Sequence, residues 1–189
     1  MTESNKSSEP VVVERGIRCA IVAVFVEGIR RRKPAAMVNA VISLVGTFIP
    51  WILERVFGTE FRPWQRIYVE SAMLTHSVGM LGPYDDVWWW DHLTHTHSAT
   101  VVGGVVHVVS QRRGKDPRPR VVAAILCLGI VWELTEYAIH FGAKRLGIEP
   151  ILVSYGKVDT ALDLVFNLFG AILVVLFGER MLQNLTSAD

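Results

Sequence analysis

Trp88-Trp89-Trp90-Asp91-His92-Leu93-Thr94-His95-Thr96-His97-Ser98 is the most informative run in the chain. Three indoles run into an acid and three imidazoles, at the mouth of an apolar segment that continues to Val109. Indoles partition to a membrane–water boundary, and ionisable groups just inside one are costly unless they have a partner or a purpose. At about 100° per residue, Asp91, His95 and Ser98 share one helix face, and His97 points nearly opposite. The stretch therefore reads as a helix entering a bilayer with a polar face turned toward other helices.

The rest of the chain supports that setting. Of 189 residues, 51% are hydrophobic and 20% charged, and the charges avoid several long stretches. A formal charge of +1 gives no case for a general nucleic-acid surface, and the expected partner is the lipid bilayer. Cys19 and Cys127 both lie in apolar surroundings and form no metal-type pair, so two small buried hydrophobes are expected. Six apolar segments are predicted, at 11–29, 35–53, 67–81, 88–109, 121–143 and 160–178. Segment 35–53 has 19 residues without a charge, about what a hydrocarbon core of roughly 30 Å requires. Segment 11–29 is interrupted by Glu14, Arg15, Arg18 and Glu27, and segment 67–81 by Glu70, Thr75 and His76. Either is a span or an interfacial or re-entrant piece. The expectation is an all-α polytopic transmembrane bundle of about five to six membrane-embedded segments. A single domain over 11–182 lies between a disordered tail at 1–10 and a C-terminal tail at 183–189. No basic start leads into an apolar run with a cleavage site, so the front end is not read as a signal peptide.

Lys and Arg cluster at 30–33 and 112–120. Both stretches look cytoplasmic, yet six full spans would place them on opposite sides; the larger loop is favoured as cytoplasmic. If the last three segments cross, the start of the fourth, the end of the fifth and the start of the sixth share the opposite membrane face. Asp91, His92 and His95, then Glu133, Glu136 and His140, then Asp159 and Asp163 meet there, with His76 near the same level. Glu133, Glu136 and His140 fall within about 60° of one another, and Asp159, Asp163 and Asn167 step down one stripe that Gly170 continues. Ala99/Gly103 and Thr100/Gly104 have the small-xxx-small spacing of close helix contact.

Carboxylates with imidazole suit zinc, manganese or iron, and an oxygen-dominated subset suits magnesium or calcium. Asp91, His95, Glu136, His140, Asp159 and Asp163 are the candidate metal ligands, with Glu133 as candidate general base. Three readings follow. The first is a metal-dependent enzyme acting on a lipid or other amphiphile at the interface. The second is an ion- or proton-coupled transporter or ion-binding protein, and the third a non-catalytic membrane scaffold. A charge at mid-span costs about 2.5–3.5 kcal/mol, which argues against an idle Glu133. Bland roles compete: Asp91 and Asp159 as helix N-caps, His92 and His97 as interfacial or loop-facing, His107 as structural, the tryptophans as a membrane anchor.

The runs WWWDHLTHTHSA, GIVWELTEYA and YGKVDTALDLVFNLFGAILV resemble the YjdF-like family of small multi-pass membrane proteins, whose archaeal members show a similar Trp-Asp-His-Leu-Thr-His stretch. The matching positions are Asp91 and His95; Trp132, Glu133 and Glu136; and Asp159, Asp163 and Gly170. The resemblance covers about 38–177. It departs at the basic cluster 30–33 and at His97, where an apolar residue is expected. It implies a multi-pass location in the cell membrane and no particular activity. A Pro-Ser-Gly-His phosphatase segment, a zincin motif, a Ser-His-Asp constellation and a Gly-rich phosphate loop are absent, and six histidines are too few for the usual di-iron desaturase set.

Overall fold

The computed structural model describes residues 9–186, and within them all regular structure is helical. The helices are α1 (Glu9–Arg31), α2 (Pro34–Gly46), α3 (Ile49–Phe57), α4 (Pro63–Gly79), α5 (Pro83–Asp86), α6 (Trp90–Arg112), α7 (Pro117–Leu146), α8 (Lys157–Met181) and α9 (Gln183–Thr186). The tail expected at 1–10 lies outside the described residues except for Glu9 and Pro10, which open α1. Residues 183–186, expected as tail, form α9 with Leu185 buried. Arg112 Nε donates to the Leu185 carbonyl at 2.9 Å and holds that turn against α6. The described residues fall into two compact units that meet in the chain between Val87 and Trp88.

Proline sets most helix starts. Pro34, Pro63, Pro83 and Pro117 each open a helix, where the missing N–H is one of the unpaired donors anyway. Lys33 and Arg62, which precede two of them, are extended, as the proline ring requires. Asp116 caps α7 by accepting from the Arg118 N–H at 3.1 Å. That cap shortens the basic loop expected at 111–120 to a few residues. At the other end of α7, Gly147 takes a left-handed conformation (φ 67°) and its N–H returns to Ala143 and Lys144 carbonyls. Segment 35–53 is broken at Thr47–Phe48 rather than continuous. Pro50 cannot donate to the Gly46 carbonyl, so the helix stops there and restarts as α3.

Among the described residues, three stretches are long and apolar enough to cross a membrane: Pro34–Phe57, Pro117–Leu146 and Lys157–Met181. This is fewer than the five to six membrane-embedded segments expected. The six predicted segments do form helical stretches, but α1 carries Glu14, Arg15, Arg18 and Glu27, α4 has 17 residues, and α6 carries Asp91 and four histidines. At 1.5 Å per residue, the 30 residues of α7 extend about 45 Å and the 25 of α8 about 38 Å, against a core of about 30 Å.

In the first unit α1, α2 and α4 pack on one another around Ile17, Ile21, Val24 and Ala40. Of the charges that interrupted the sequence pattern, Glu14, Arg18, Glu27 and Glu70 are paired. Arg18 binds Glu70 at 2.6 Å, Arg66 binds Glu14 at 2.9 Å, and Arg18 also stacks on Phe48. Glu14 and Glu70 are both buried. Arg18→Ala would leave Glu70, whose side chain is 1% exposed, as an uncompensated buried charge. The expected loss is about 3–5 kcal/mol. Thermal unfolding in detergent should show it, and the Arg18→Ala/Glu70→Gln pair should recover part of the loss. Equal stability of the single and double variants would contradict the pairing.

In the second unit α6, α7 and α8 pack pairwise around Ala99, Val121, Ile125, Ala171 and Val174. Its outer surface is apolar: α7 exposes Leu128, Ile130, Val131, Trp132 and Leu134. Thr94, His95, Glu133, Asp163 and Asn167 are buried instead. Large exposed apolar faces around a polar interior are the arrangement of a bundle in lipid. Cys19 and Cys127, expected to be buried, are free thiols on exposed helix faces.

Candidate metal centre

Close approach of the helix backbones brings the polar residues of the second unit together. A Cβ on Gly170 of α8 would sit 2.7 Å from both the Ala99 Cβ and the Thr96 carbonyl of α6. Thr96 Oγ1 donates to the Phe166 carbonyl at 3.2 Å across the same contact. A Cβ on Gly129 of α7 would sit 2.9 Å from the Asn167 amide nitrogen. The small residues thus seat α6 and α7 on α8 at Gly170 and Asn167. Two turns before Gly170 lies Asp163, and two turns before Ala99 lies His92. Glu133 lies one turn beyond Gly129, and Asp163 one turn before Asn167. Helix periodicity puts these groups at one level.

There Asp91, His95 and Asp163 each offer a ligand atom, and the three atoms lie within 4.8 Å of one another. His95 Nε2 is 3.5 Å from Asp91 Oδ1 and 3.8 Å from Asp163 Oδ1. Those separations are long for a hydrogen bond. They are close to the roughly 3.4 Å between neighbouring ligands of a tetrahedral ion with bonds of about 2.1 Å. Asp163 Oδ2 and Glu133 Oε1 are buried, and neither has a hydrogen-bond partner among the described residues. Glu133 lies beside the Thr160 hydroxyl and within electrostatic reach of His95, Asp159 and Asp91. The donor set and its spacing fit a divalent cation.

The other expected ligands are placed differently. Glu136 is half-buried and accepts from the Trp132 indole N–H at 3.0 Å, while staying in electrostatic range of Glu133, Asp91 and Asp159. His140 accepts from the Ser154 N–H at 3.3 Å and so ties the α7–α8 loop to α7. Asp159 is half-buried and pairs its carboxyl with that of Asp163 one turn on. Neither Asp91 nor Asp159 is an N-cap: Trp89 and Gly156 occupy those positions, and both acids sit in the first turn, where the helix dipole favours a negative charge. His76, in the first unit, hydrogen-bonds the Tyr84 hydroxyl at 2.8 Å. His107 is buried toward the far end of α6, and Gly178 leaves room for its ring.

His92, expected to face the interface or a loop, belongs to the site. It is buried, its Nδ1 is 3.3 Å from Asp163 Oδ1, and its ring stacks on Phe166 with centroids 4.6 Å apart. The signal was its spacing: His92 and His95 are about 60° apart around the helix, so both can reach one partner on α8. Trp88, 81% exposed, and Trp89 sit at the mouth of α6 beside this cluster.

A family model described as "Predicted membrane protein (DUF2238)" matches residues 13–184. An uncharacterised protein of Thermotoga maritima is 26% identical over 152 residues, 74% of each chain. No solved structure matches.

Proposed function

Because the chain belongs to this DUF2238 family of predicted membrane proteins, we propose that it is a multi-pass protein of the cell membrane whose α6–α8 unit holds a divalent cation at Asp91, His95 and Asp163. The observation that carries this reading is the convergence of two carboxylates on one imidazole at ligand spacing, with Asp163 Oδ2 buried and unpartnered. Zinc, manganese and iron suit the mixed nitrogen–oxygen set; magnesium would rely on the carboxylates.

The chemistry that follows is hydrolysis of a lipid or other amphiphile. A bound cation supplies Lewis acidity toward an ester or phosphoester oxygen. Glu133 takes one proton from the attacking water as its oxygen bonds to the carbonyl carbon or phosphorus. The ester bond to the leaving oxygen breaks, and Glu133 returns the proton to that oxygen. The exposed tryptophans at the α6 mouth favour this substrate class, since they mark the level at which headgroup-linked ester bonds lie. A second reading, an ion pathway, is favoured by the burial of Glu133 and Asp163 within two membrane-length helices. Flux in proteoliposomes abolished by Glu133→Gln, with no hydrolysis of any ester or phosphoester lipid, would select it.

Elemental analysis tests the cation itself. Full-length protein purified in mild detergent should carry zinc, manganese or iron at or above one per chain, and His95→Ala and Asp91→Asn should reduce it. Metal-free protein that also fails to take up added zinc, manganese or magnesium would overturn the reading.

A further inference from the structure

The same basic turn is built once in each unit. α1 ends in Arg30-Arg31-Arg32-Lys33 before Pro34, and α6 ends in Arg112-Arg113-Gly114-Lys115 before Asp116 and Pro117. In the first unit the Arg32 N–H returns to the Ile29 carbonyl and the Lys33 N–H to the Gly28 carbonyl. In the second the Gly114 N–H returns to Gln111 and the Lys115 N–H to Ser110, the same steps of three and five residues. Arg32 and Gly114 both take the left-handed conformation, with φ of 55° and 64°, as a chain does when it closes a helix at its carbonyl end. A base then reaches a carbonyl beyond the third long helix of each unit: Lys33 binds Leu81 and Arg112 binds Leu185.

The two turns use their bases differently. Five residues before Arg32, Glu27 binds both Arg30 and Arg31, and Arg31 and Lys33 donate to the Leu81 carbonyl. Five residues before Gly114 stands Val109, which can hold no base. There Arg112 is engaged by Leu185 and Arg120 by the Asp116 carbonyl. The Asp116 carboxylate accepts from the Arg118 backbone N–H and caps α7. Glu179, at the end of α8, is offset by Arg180 beside it. Arg113, Lys115 and Arg118 are exposed, and among the described residues none of the three forms an ion pair.

The surroundings say what these charges meet. Apart from its two prolines, the run 111–120 has no apolar side chain, and exposed apolar residues begin on either side of it: Val105 and Val109 on α6, Leu126 and Leu128 on α7. Long basic side chains at the edge of an apolar wall reach the headgroup layer of a bilayer. The backbone has little to offer an anion, because the Arg113, Gly114 and Lys115 N–H groups return to α6 and Pro117 and Pro119 have none. An anion there is held by side chains, and unpaired guanidinium and ammonium groups suit phosphate oxygens. We propose that Arg113, Lys115 and Arg118 form a binding surface for the headgroups of anionic phospholipids. It lies about 33 Å from Asp91 along α6 and stands independently of the cation centre.

Lipid selectivity of the full-length protein in phosphatidylcholine bilayers tests this, read as the motionally restricted fraction of spin-labelled phosphatidylglycerol against that of spin-labelled phosphatidylcholine. The wild type should prefer phosphatidylglycerol, and high salt should weaken the preference. Arg113→Gln/Lys115→Gln should lower it by about fivefold for each base removed. Arg30→Gln/Arg31→Gln removes the same formal charge from bases that Glu27 already holds, and should keep the wild-type preference. All four side chains are exposed, so helical circular dichroism should be unchanged in both variants. A wild type without preference, or an Arg113→Gln/Lys115→Gln protein that keeps it in full, would overturn the surface. Equal losses in the two variants would also overturn it, since net charge alone would then set the preference.

Discussion

Asp163→Asn is expected to abolish cation binding while leaving the cation-free protein as stable as the wild type, or more so. The change is isosteric, so the contact with His92 is kept. What it removes is a 1%-exposed carboxylate surrounded by Asp91, Asp159, Glu133 and Glu136. Without a cation the buried carboxyl either takes up a proton or is repelled by its neighbours, and an amide needs neither, so the helix bundle loses nothing by the change. With a cation the sign reverses. Loss of an outer-shell partner alone costs about 10–100-fold in metal affinity, so loss of a ligand should exceed about 100-fold. At 100 times its dissociation constant a ligand stabilises the native state by about 2.7 kcal/mol. The wild type should therefore gain several degrees in thermal unfolding with Zn2+ or Mn2+, and Asp163→Asn should gain nothing. If the variant instead unfolds earlier than the wild type in chelator, and no cation moves either protein, the cluster is a scaffold device.

The second large effect is expected at Gly170. Its missing Cβ would lie 2.7 Å from the Thr96 carbonyl and 3.3 Å from the Thr100 nitrogen. Those are backbone atoms of a helix and cannot rotate away. Gly170→Val should force α8 from α6 and cost about 1–3 kcal/mol or more through overpacking. Because Asp163 sits two turns up the same helix, cation affinity should fall with stability. Gly142→Ala on α7 is the matched control. A Cβ there meets nothing within 4 Å, so removing a helical glycine should stabilise by about 0.5–1 kcal/mol. Opposite signs for the two substitutions, read by unfolding in detergent, support the close α6–α8 contact; a tolerated Gly170→Val contradicts it.

Much of this site was legible before any coordinates. The i, i+4 step from Asp91 to His95, the Asp159–Asp163–Asn167–Gly170 stripe and the polar face of α7 each follow from helix periodicity. Short connections then bring the three helix ends to one level. Periodicity fixes a side chain's angle but not its partner, and that is where the reading fell short. His92 lies next to the tryptophans and looked like part of their belt, because its stacking on Phe166 depends on the rotation of α8. Glu136 and His140 share the face of Glu133, yet the Trp132 indole and the Ser154 N–H engage them. In the first unit Glu14, Arg18 and Glu70 read as defects in apolar segments, since their pairing spans 52 residues from Arg18 to Glu70. The break before Pro50 required weighing its lost hydrogen bond against an otherwise continuous apolar run.

Anomalous X-ray diffraction at the absorption edge of the bound metal is the decisive test for the proposed divalent cation among Asp91, His95 and Asp163. A peak is expected within about 2.0–2.2 Å of His95 Nε2 and of a carboxylate oxygen from each aspartate, in crystals of the full chain grown with Zn2+. A map from such crystals with no peak among these three residues, or with peaks only on exposed surface groups, would contradict it.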